Sequence, residues 1–322
     1  GYYNDPHERM FVFMISKHGN HTLFMNDLFY LDHDLDVNIV WHKDGQDAIQ
    51  TIVDEMHFPG RIGIDKNWAS HFLLDLMKKL PDAKYINASP CVDLVRMKKD
   101  LQEQVLMIES SKINDAVMEE IIPFIQEGVT EKQLAKKLDE LFFNHHSTCY
   151  GAIVAFGKNA ADPHHENDDT LLRKGDCVLI DMGCVYKGYC SDMTRTFFYE
   201  GILEEEIKAY EIVKKANEAA EAMIKPGVKL SDIDKCARKV ISDEGYGKYF
   251  THRLGHFIGR DVHEYGDVSS VNEMEVEEGM IFSIEPGIFL EGNFGVRVED
   301  LVMVTKDGCQ FLNSFTKDIY II

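Results

Sequence analysis

The feature that most constrains the fold is a repeated apolar run that ends in an acid. Gly175-Asp-Cys-Val-Leu-Ile-Asp181 matches Gly279-Met-Ile-Phe-Ser-Ile-Glu285 at an offset of 104 residues. In each copy a glycine opens a run typical of a buried strand, and a carboxylate closes it six residues later. An unpaired carboxylate at the end of a buried strand costs free energy, so both acids require a partner.

Further matches in the same order extend this repeat. Ile125-Gln-Glu-Gly128-Val129 reappears as Ile224-Lys-Pro-Gly227-Val228, and His164 reappears as His263, both at an offset of 99 residues. Each Gly-Val pair precedes a predicted helix. This self-similarity predicts two similar halves that pack around a pseudo-twofold axis.

Each repeated acid is followed by a second acid. Asp192 follows Asp181 across a turn-forming segment, and Glu299 follows Glu285 across another. If each pair lies on an antiparallel hairpin, all four carboxylates can face one point near the pseudo-axis. Four buried carboxylates cannot stay ionised together without cations, and two divalent ions would neutralise them. The sequence therefore predicts a site for two divalent ions.

One imidazole completes this set. His256 lies in the segment THRLGHFIG, between a predicted helix and Glu285. The spacing of His252 and His256 is that of a zinc-binding helix, but the glutamate of H-E-x-x-H is missing and Gly255 interrupts the pattern. We predict an irregular loop or strand that presents one or both histidines. An oxygen-rich set with one imidazole favours Mn²⁺, Fe²⁺ or Co²⁺ over a thiolate-type zinc site.

The chain divides near residue 90 into two predicted domains. Residues 1–90 predict a small α/β domain, with strands over 10–15, 21–25, 38–41 and 61–64 and helices over 47–56 and 69–80. A turn or linker is predicted at 87–90. Residues 91–322 predict helices over 93–126, 131–144 and 203–225 and from Ser231, with strands over 151–156 and 177–183.

Composition excludes several classes of function. A net charge of −21 and a pI near 5.0 argue against a nucleic-acid or anionic-membrane surface. No apolar run approaches the ~18–20 residues needed to cross a bilayer, and no signal peptide is visible. Seven cysteines without framework spacing are typical of reduced thiols. We therefore expect a cytoplasmic protein with no nucleic-acid or membrane partner.

Five motifs in order resemble those of the pita-bread metallopeptidases, which include prolidases (Xaa-Pro dipeptidases), Xaa-Pro aminopeptidases and methionine aminopeptidases. They are YGAIVAFGKNAADPHH, VLIDMGCVYKGYCSDMTRTF, FTHRLGHFIGRDVHE, FSIEPGI and GVRVEDLV, each near the pattern of bacterial prolidases. The resemblance runs from about residue 92 to the end, and residues 1–90 resemble part of the family's amino-terminal domain.

That resemblance implies an α+β fold. A pita-bread (creatinase/aminopeptidase) catalytic domain with a pseudo-twofold internal repeat would follow a smaller α/β amino-terminal domain. Family members usually carry a further strand–helix unit before this point, so we expect the amino-terminal domain to be incomplete. They are also commonly homodimers, which makes a homodimer the expected assembly.

The resemblance also implies the site residues. The metal ligands would be Asp181, Asp192, His256, Glu285 and Glu299, with the acids at 192 and 299 bridging two divalent ions. Mn²⁺ is the expected metal, with Co²⁺, Fe²⁺ and Zn²⁺ as alternatives. The expected catalytic residues are Glu285, His263 and His164, and the expected substrate-binding residues are His252, Arg297 and Arg260. Either arginine could take the carboxylate of a dipeptide in a bidentate contact.

Two departures from the family pattern affect these expectations. The usual G-H-G-I-G reads Gly255-His-Phe-Ile-Gly259, which would put a ring beside His256. Position 260 is arginine where an apolar residue is common, which would alter the substrate pocket.

Three functions remain open at this point. The first is hydrolysis of Xaa-Pro dipeptides, and the second is an Xaa-Pro aminopeptidase activity on longer peptides. The third is a metal-free pita-bread protein that only binds its ligand. The five intact ligand residues argue against the third, and the HRLGH and VHE segments fit the dipeptidase better than the aminopeptidase. The expected partner is a small proline-containing peptide.

Overall fold

The computed structural model describes residues 5–31, 34–56 and 60–322. The chain forms two compact units, Gly1–Val92 and Asp93–Ile322. Within the described part of the chain, no helix is both long enough and apolar enough to span a membrane.

The first unit is a small α/β structure, as predicted. Its elements are β1 (Val12–Met14), β2 (Thr22–Asn26), β3 (Asn38–His42), α1 (Ala48–Glu55), β4 (Arg61–Ile64), α2 (Ser70–Lys79) and β5 (Lys84–Asn87). β2 pairs antiparallel with β1 and parallel with β3, and β4 pairs parallel with β5. Its core includes Met10, Phe24, Ile49, Ile52 and Leu76. Helix α3 (Pro90–Met97) begins where a turn or linker is predicted.

The second unit contains four longer helices and thirteen short strands among its described residues. The helices are α4 (Leu101–Ile121), α5 (Glu131–Asn144), α6 (Glu204–Glu221) and α7 (Leu230–Asp243). The strands of its first half are β6 (Thr148–Cys149), β7 (Ile153–Phe156), β8 (Cys177–Met182), β9 (Cys184–Tyr186), β10 (Tyr189–Cys190) and β11 (Met193–Phe198). Those of its second half are β12 (Gly255–His256), β13 (Asp267–Val268), β14 (Ile281–Ile284), β15 (Gly287–Leu290), β16 (Phe294–Arg297), β17 (Asp300–Val304) and β18 (Cys309–Phe311).

The helical stretch predicted over 93–126 is divided in the structure into two helices, α3 and α4. The break has a local cause at Asp100, which caps α4. Its carboxylate accepts hydrogen bonds from the backbone N–H groups of Gln102 and Glu103, and the Glu103 side chain accepts from the backbone of Asp100. This reciprocal capping box starts a new helix within an otherwise continuous helical pattern.

The predicted internal repeat is confirmed by matched backbone contacts. Gly128 N donates to Leu172 O at 3.0 Å, and its counterpart Gly227 N donates to Val276 O at 2.9 Å. Both glycines have left-handed φ values, 82° and 87°, which disfavour other residues. The same holds for Gly175 and Gly279, at 87° and 84°, which lie two residues before β8 and β14 respectively. The two halves therefore turn and pair in the same way.

Two three-stranded antiparallel sheets carry the two repeated strands, β8 and β14. β8 lies between β7 and β11, and β17 lies between β14 and β18. Every residue of β11, β14 and β17 is buried, as is all of β8 except Asp181. Asp181 is thus the one residue of these four strands that is not fully buried.

Candidate metal centre

Both acid pairs lie on antiparallel hairpins, as predicted. Asp181 lies on β8 opposite Thr194 of β11, and Asp192 directly precedes β11. In the other half, Glu285 directly follows β14 and Glu299 directly precedes β17, next to the paired residues Ile284 and Asp300. The hairpins therefore place four acids at equivalent strand ends.

Three of the predicted ligands converge on one point. Asp192, His256 and Glu299 each offer a ligand atom, and these atoms lie within 4.8 Å of one another. All three residues are buried. Glu285 adjoins them, since its Oε1 lies 3.6 Å from His256 Nε2, which is itself 3.5 Å from Asp192 Oδ2. Four of the five predicted ligands therefore form one contiguous group.

Neighbouring hydroxyl groups orient these ligands. Thr194 Oγ1 donates to Glu299 Oε2 at 2.7 Å. Ser283 Oγ accepts from the backbone N–H of His256 at 3.0 Å and donates to Glu285 Oε1 at 3.1 Å. These two residues support the proposed ligands from within the sheets, as outer groups do around many metal sites.

The fifth predicted ligand, Asp181, is paired with an arginine. Arg297 donates from Nη2 to Asp181 Oδ2, from Nε to Thr194 Oγ1 at 3.1 Å, and from Nη1 to Pro163 O at 3.2 Å. Arg297 is 2% exposed. Its guanidinium is therefore committed to Asp181 and to the loop that carries Pro163.

The electrostatics of the acids indicate a shortage of positive charge. Burial raises the pKa of Asp181 to about 7, although Arg297 opposes this effect. Burial and the carboxylates of Asp192 and Glu285 raise the pKa of Glu299 well above its usual range. Burial disfavours the charged form of His256, but Asp192 and Glu285 outweigh it and raise the pKa of that imidazole. Each of these pKa shifts is the one expected where buried carboxylates have too little positive charge near them.

These residues fit divalent cations. Glu299 Oε1 is buried and has no hydrogen-bond partner among the described residues, so one oxygen is left for a ligand. Carboxylate oxygens with one imidazole are a donor set suited to Mn²⁺, Fe²⁺ or Co²⁺. A second cluster of possible ligands, Glu131, His165 and Asp168, lies elsewhere. There both Glu131 oxygens already accept hydrogen bonds, from groups that include Phe156 N and Asp168 N.

Two of the predicted histidines, His263 and His252, have different surroundings. The His263 ring lies 4.3 Å from that of His256 and perpendicular to it. Partial burial and the neighbouring His256 lower the pKa of His263. His252 packs against Phe250 and Phe289, and its buried Nε2 has no partner in the described part of the chain. Burial lowers the pKa of His252, which favours a neutral ring.

The remaining predicted residues are exposed. His164 lies on the turn after Pro163, with its backbone N–H donating to Asp162 Oδ1 at 3.0 Å. The guanidinium carbon of Arg260 lies 6.0 Å from the ring centre of Tyr189. Tyr189 belongs to the β9–β10 hairpin. The structure therefore brings His263 to the acids and leaves His164 and Arg260 at the surface.

The ring expected beside His256 packs into the hydrophobic core. Phe257 is fully buried, and its ring lies 5.4 Å from that of Phe282 within the hydrophobic core. Successive side chains in extended backbone point to opposite sides, so the residue after His256 faces away from the acids. Gly266 makes room for it, since a Cβ there would lie 2.7 Å from the Phe257 ring.

Tyr150 adjoins the site, although no motif in the sequence singles it out. Its hydroxyl donates to Ser191 O at 2.8 Å, one residue before Asp192. Burial and the nearby carboxylates of Asp192 and Asp181 raise the pKa of Tyr150 well above its usual value. Gly183 allows this approach, because a Cβ there would lie 2.0 Å from the Tyr150 hydroxyl. A glycine right after an acid-bearing strand was the available signal.

Family models match nearly the whole chain. The model of metallopeptidase family M24 matches residues 105–306, and the model of the creatinase/prolidase N-terminal domain matches residues 1–98. A peptidase of Staphylococcus aureus with no assigned specificity is 34% identical over 326 residues, covering 98% of this chain and 91% of that protein.

Solved structures show the same fold. A dipeptidase from Pyrococcus horikoshii is 34% identical with a TM-score of 0.92, over 98% of this chain and 90% of that one. A prolidase from Thermococcus sibiricus is 33% identical with a TM-score of 0.92, over 98% and 88%. These similarities confirm the predicted fold, a pita-bread catalytic domain with an internal repeat after a smaller α/β amino-terminal domain.

Proposed function

The chain belongs to metallopeptidase family M24, and from this premise we propose that it is an Xaa-Pro dipeptidase that uses two divalent metal ions. The observation that carries this proposal is the convergence of Asp192, His256 and Glu299 within 4.8 Å, beside Glu285. The similarity to a dipeptidase and a prolidase over nearly the whole chain supports the choice of substrate.

We assign the metal ligands to Asp181, Asp192, His256, Glu285 and Glu299. The acids at 192 and 299, which come from different halves, would be shared between two ions. Two divalent ions held by these residues would polarise the scissile carbonyl and activate water as the nucleophile. We propose Mn²⁺ as the metal, because the donor set is rich in carboxylate oxygen.

Side chains of the protein transfer the proton that hydrolysis requires. The bond to a proline nitrogen is a tertiary amide, so the leaving nitrogen must gain a proton as the bond breaks. The Glu285 carboxylate, oriented by Ser283, takes the proton from the attacking water and passes it to that nitrogen. His263, next to His256, donates to the developing oxyanion, with His164 as the second candidate from the other half.

Substrate recognition uses groups around this centre. We assign His252 to contact with the peptide, and its buried nitrogen without a partner in the described structure supports this role. Of the two arginines, Arg260 binds the dipeptide carboxylate, since Arg297 is engaged with Asp181. We further propose residues 1–90 and 91–322 as the two domains. Homodimer formation, a cytoplasmic location and the lack of nucleic-acid or membrane partners stay predictions.

The test uses metal-stripped protein and two peptides. We expect chelated protein, shown by elemental analysis to be metal-free, to hydrolyse neither Ala-Pro nor Ala-Pro-Ala. Added Mn²⁺ or Co²⁺ should restore hydrolysis of Ala-Pro, with a kcat/KM at least about tenfold above that for the tripeptide. Ala-Ala serves as the control dipeptide without proline.

Each alternative gives a different result. A preference for Ala-Pro-Ala would identify an Xaa-Pro aminopeptidase. Protein that binds no metal and cleaves neither peptide would fit a binding function instead. Full activity in metal-free protein would exclude the metal mechanism.

A further inference from the structure

A buried ion pair lies next to the centre and is not used by the chemistry described above. Lys99 Nζ lies 3.0 Å from Glu264 Oε2, and their side chains are only 2% and 4% exposed. Burial lowers the pKa of Lys99, although Glu264 opposes the effect. Buried ion pairs contribute little to stability relative to apolar residues of the same size. The pair therefore calls for an explanation other than stability.

Glu264 closes the loop that carries His263. Its Oε1 accepts from the backbone N–H of Arg260 at 2.9 Å, and its own backbone N–H donates to Phe257 O at 2.8 Å. Residues 257–264 are thus tied across the loop at two points. His263 lies inside this closed segment, directly beside the residue that closes it.

Cations anchor the carboxylate from outside the loop. Arg96 donates to Glu264 Oε1 from Nη2 at 2.6 Å and from Nε at 3.2 Å, and Lys99 holds the other oxygen. Lys99 is itself fixed, since its backbone N–H donates to Gly279 O at 2.8 Å. Gly279 opens the strand that leads to Glu285. The Glu264 carboxylate is therefore anchored, through Lys99, to the backbone at Gly279, which lies in the same half of the repeat as the loop.

The loop sequence leaves space for this carboxylate. A Cβ at Gly259 would lie 2.7 Å and 2.8 Å from the two Glu264 oxygens and 2.8 Å from Lys99 Cε. Any other residue there would push the carboxylate away from the Arg260 N–H. Gly259 and Glu264 are therefore matched to each other.

From these contacts we propose that Glu264 is a positioning residue, which fixes the 257–264 loop so that the His263 ring stays 4.3 Å from His256. The acceptor that Glu264 offers to Arg260 N sets the loop, and Lys99 and Arg96 hold that acceptor in place. The inference rests on the role proposed for His263 in hydrolysis.

The test compares two charge-matched double variants. Lys99→Met/Glu264→Gln removes both buried charges but keeps a carbonyl oxygen that can accept from Arg260 N. Lys99→Met/Glu264→Leu removes the same charges and the acceptor, at a similar side-chain volume. Arg96 keeps Asp261 as a partner at 2.8 Å in both. The comparison therefore tests the acceptor oxygen at position 264, which receives hydrogen bonds from both Arg260 N and Arg96.

We expect the glutamine variant to keep kcat/KM for Ala-Pro within about threefold of the unaltered protein, and the leucine variant to lose about tenfold or more, mainly in kcat. Both should bind as much metal as the unaltered protein. In a His263→Ala background, the difference between the two variants should vanish, because Glu264 acts through His263. Lys98→Met/Glu277→Gln, which removes a neighbouring surface ion pair, should change nothing.

A second readout does not depend on activity. The imidazole signal of His263, assigned with His263→Ala in spectra of ¹³C-labelled histidine, should be unchanged in the glutamine variant and shifted or broadened in the leucine variant. Equal signals in both variants, or a kinetic difference that persists without His263, would overturn the inference. If the unaltered protein cleaves no Xaa-Pro peptide, the proposed function fails, and the histidine signal still decides the role of Glu264.

Discussion

The two arginines proposed for substrate binding, Arg297 and Arg260, have opposite environments. Arg297 is buried, and Asp181, Thr194 and Pro163 O take hydrogen bonds from all three of its nitrogen atoms. Arg260 is exposed, beside the ring of Tyr189. A guanidinium already committed to a metal ligand has little capacity left for a peptide carboxylate. At the residue scale, the structure therefore supports separate roles for the two cations.

We expect Arg260→Ala to raise KM for Ala-Pro by about tenfold or more, equivalent to ~1.4 kcal/mol of binding free energy. Metal content should stay unchanged, because the described contacts of the Arg260 side chain include none of the four proposed ligand acids. Lys174→Ala, which removes a surface cation paired with Glu200, is the control. An unchanged KM with a retained preference for the dipeptide would transfer the carboxylate role to Arg297 or to the amino-terminal domain.

At the scale of elements, close backbone approaches set the position of the ligands. Gly183 follows β8, and a Cβ there would lie 2.0 Å from both Ser191 O and the Tyr150 hydroxyl. Gly255 precedes His256, and a Cβ there would lie 1.9 Å from Ser283 O. Both glycines are next to or near a proposed ligand. The hairpins can converge only because these two positions carry no side chain.

We expect Gly183→Ala to lower the free energy of unfolding by about 2 kcal/mol or more, since the contacts it meets include backbone and cannot move freely. Asp192 should be displaced with Ser191, so bound metal should also fall. Chemical denaturation and elemental analysis measure the two effects. Gly201→Ala is the matched control, because nothing lies within 4 Å of a Cβ there. Normal stability with full metal content would show that the hairpin end is not this tightly constrained.

The sequence predicts these elements well where the signal is local. Helix α5 begins and ends as predicted at 131 and 144, because Thr130 and Gln133 form a capping box visible in the sequence. Strand β5 was missed, since Lys84-Tyr-Ile-Asn87 is short and mostly exposed. The acids were found because two copies of one pattern reinforce each other.

Contacts between distant parts of the chain could not be predicted in this way. Tyr150 meets the backbone 41 residues later, and Lys99 meets Glu264 after 165 residues. Nothing local in the sequence links either pair. The packing of the Phe257 ring could not be predicted either, because adjacency to His256 in the chain does not indicate on which side of the extended backbone the ring lies.

At the scale of the whole molecule, duplication of one half explains why so much negative charge meets at one point. Each half contributes two acids from equivalent strand ends, and only the second half contributes the imidazole. A single half would hold a modest pair of carboxylates, whereas two halves create a cluster that burial makes hard to ionise. The fold itself therefore accounts for the shortage of positive charge at this point.

This charge imbalance makes the stability of the metal-free protein depend on pH. The pKa of Asp181 is raised from 3.8 to about 7, and the pKa values of Glu299 and His256 are also raised. Between the unfolded and folded pKa values, the folded protein binds more protons than the unfolded chain. The stability that Asp181 and Glu299 contribute is therefore fully present below about pH 4 and is lost as the pH rises through their folded pKa values, about 7 for Asp181. His256 is protonated in both states below its usual pKa of 6.5, so its contribution is lost only above that pH. Divalent ions compete with those same protons, so their stabilising effect should grow over the same range.

We therefore expect the thermal unfolding midpoint of chelated protein to fall between pH 5 and pH 7, and the increase produced by Mn²⁺ to be larger at pH 7 than at pH 5. Asp181→Asn removes one of the titrating acids, so its chelated form should show a weaker dependence on pH. Asp169→Asn, at an exposed site paired with Lys132, should leave the dependence unchanged. A midpoint that rises from pH 5 to pH 7 without metal, or an equal Mn²⁺ effect at both values, would contradict the view that buried carboxylates hold protons until cations replace them.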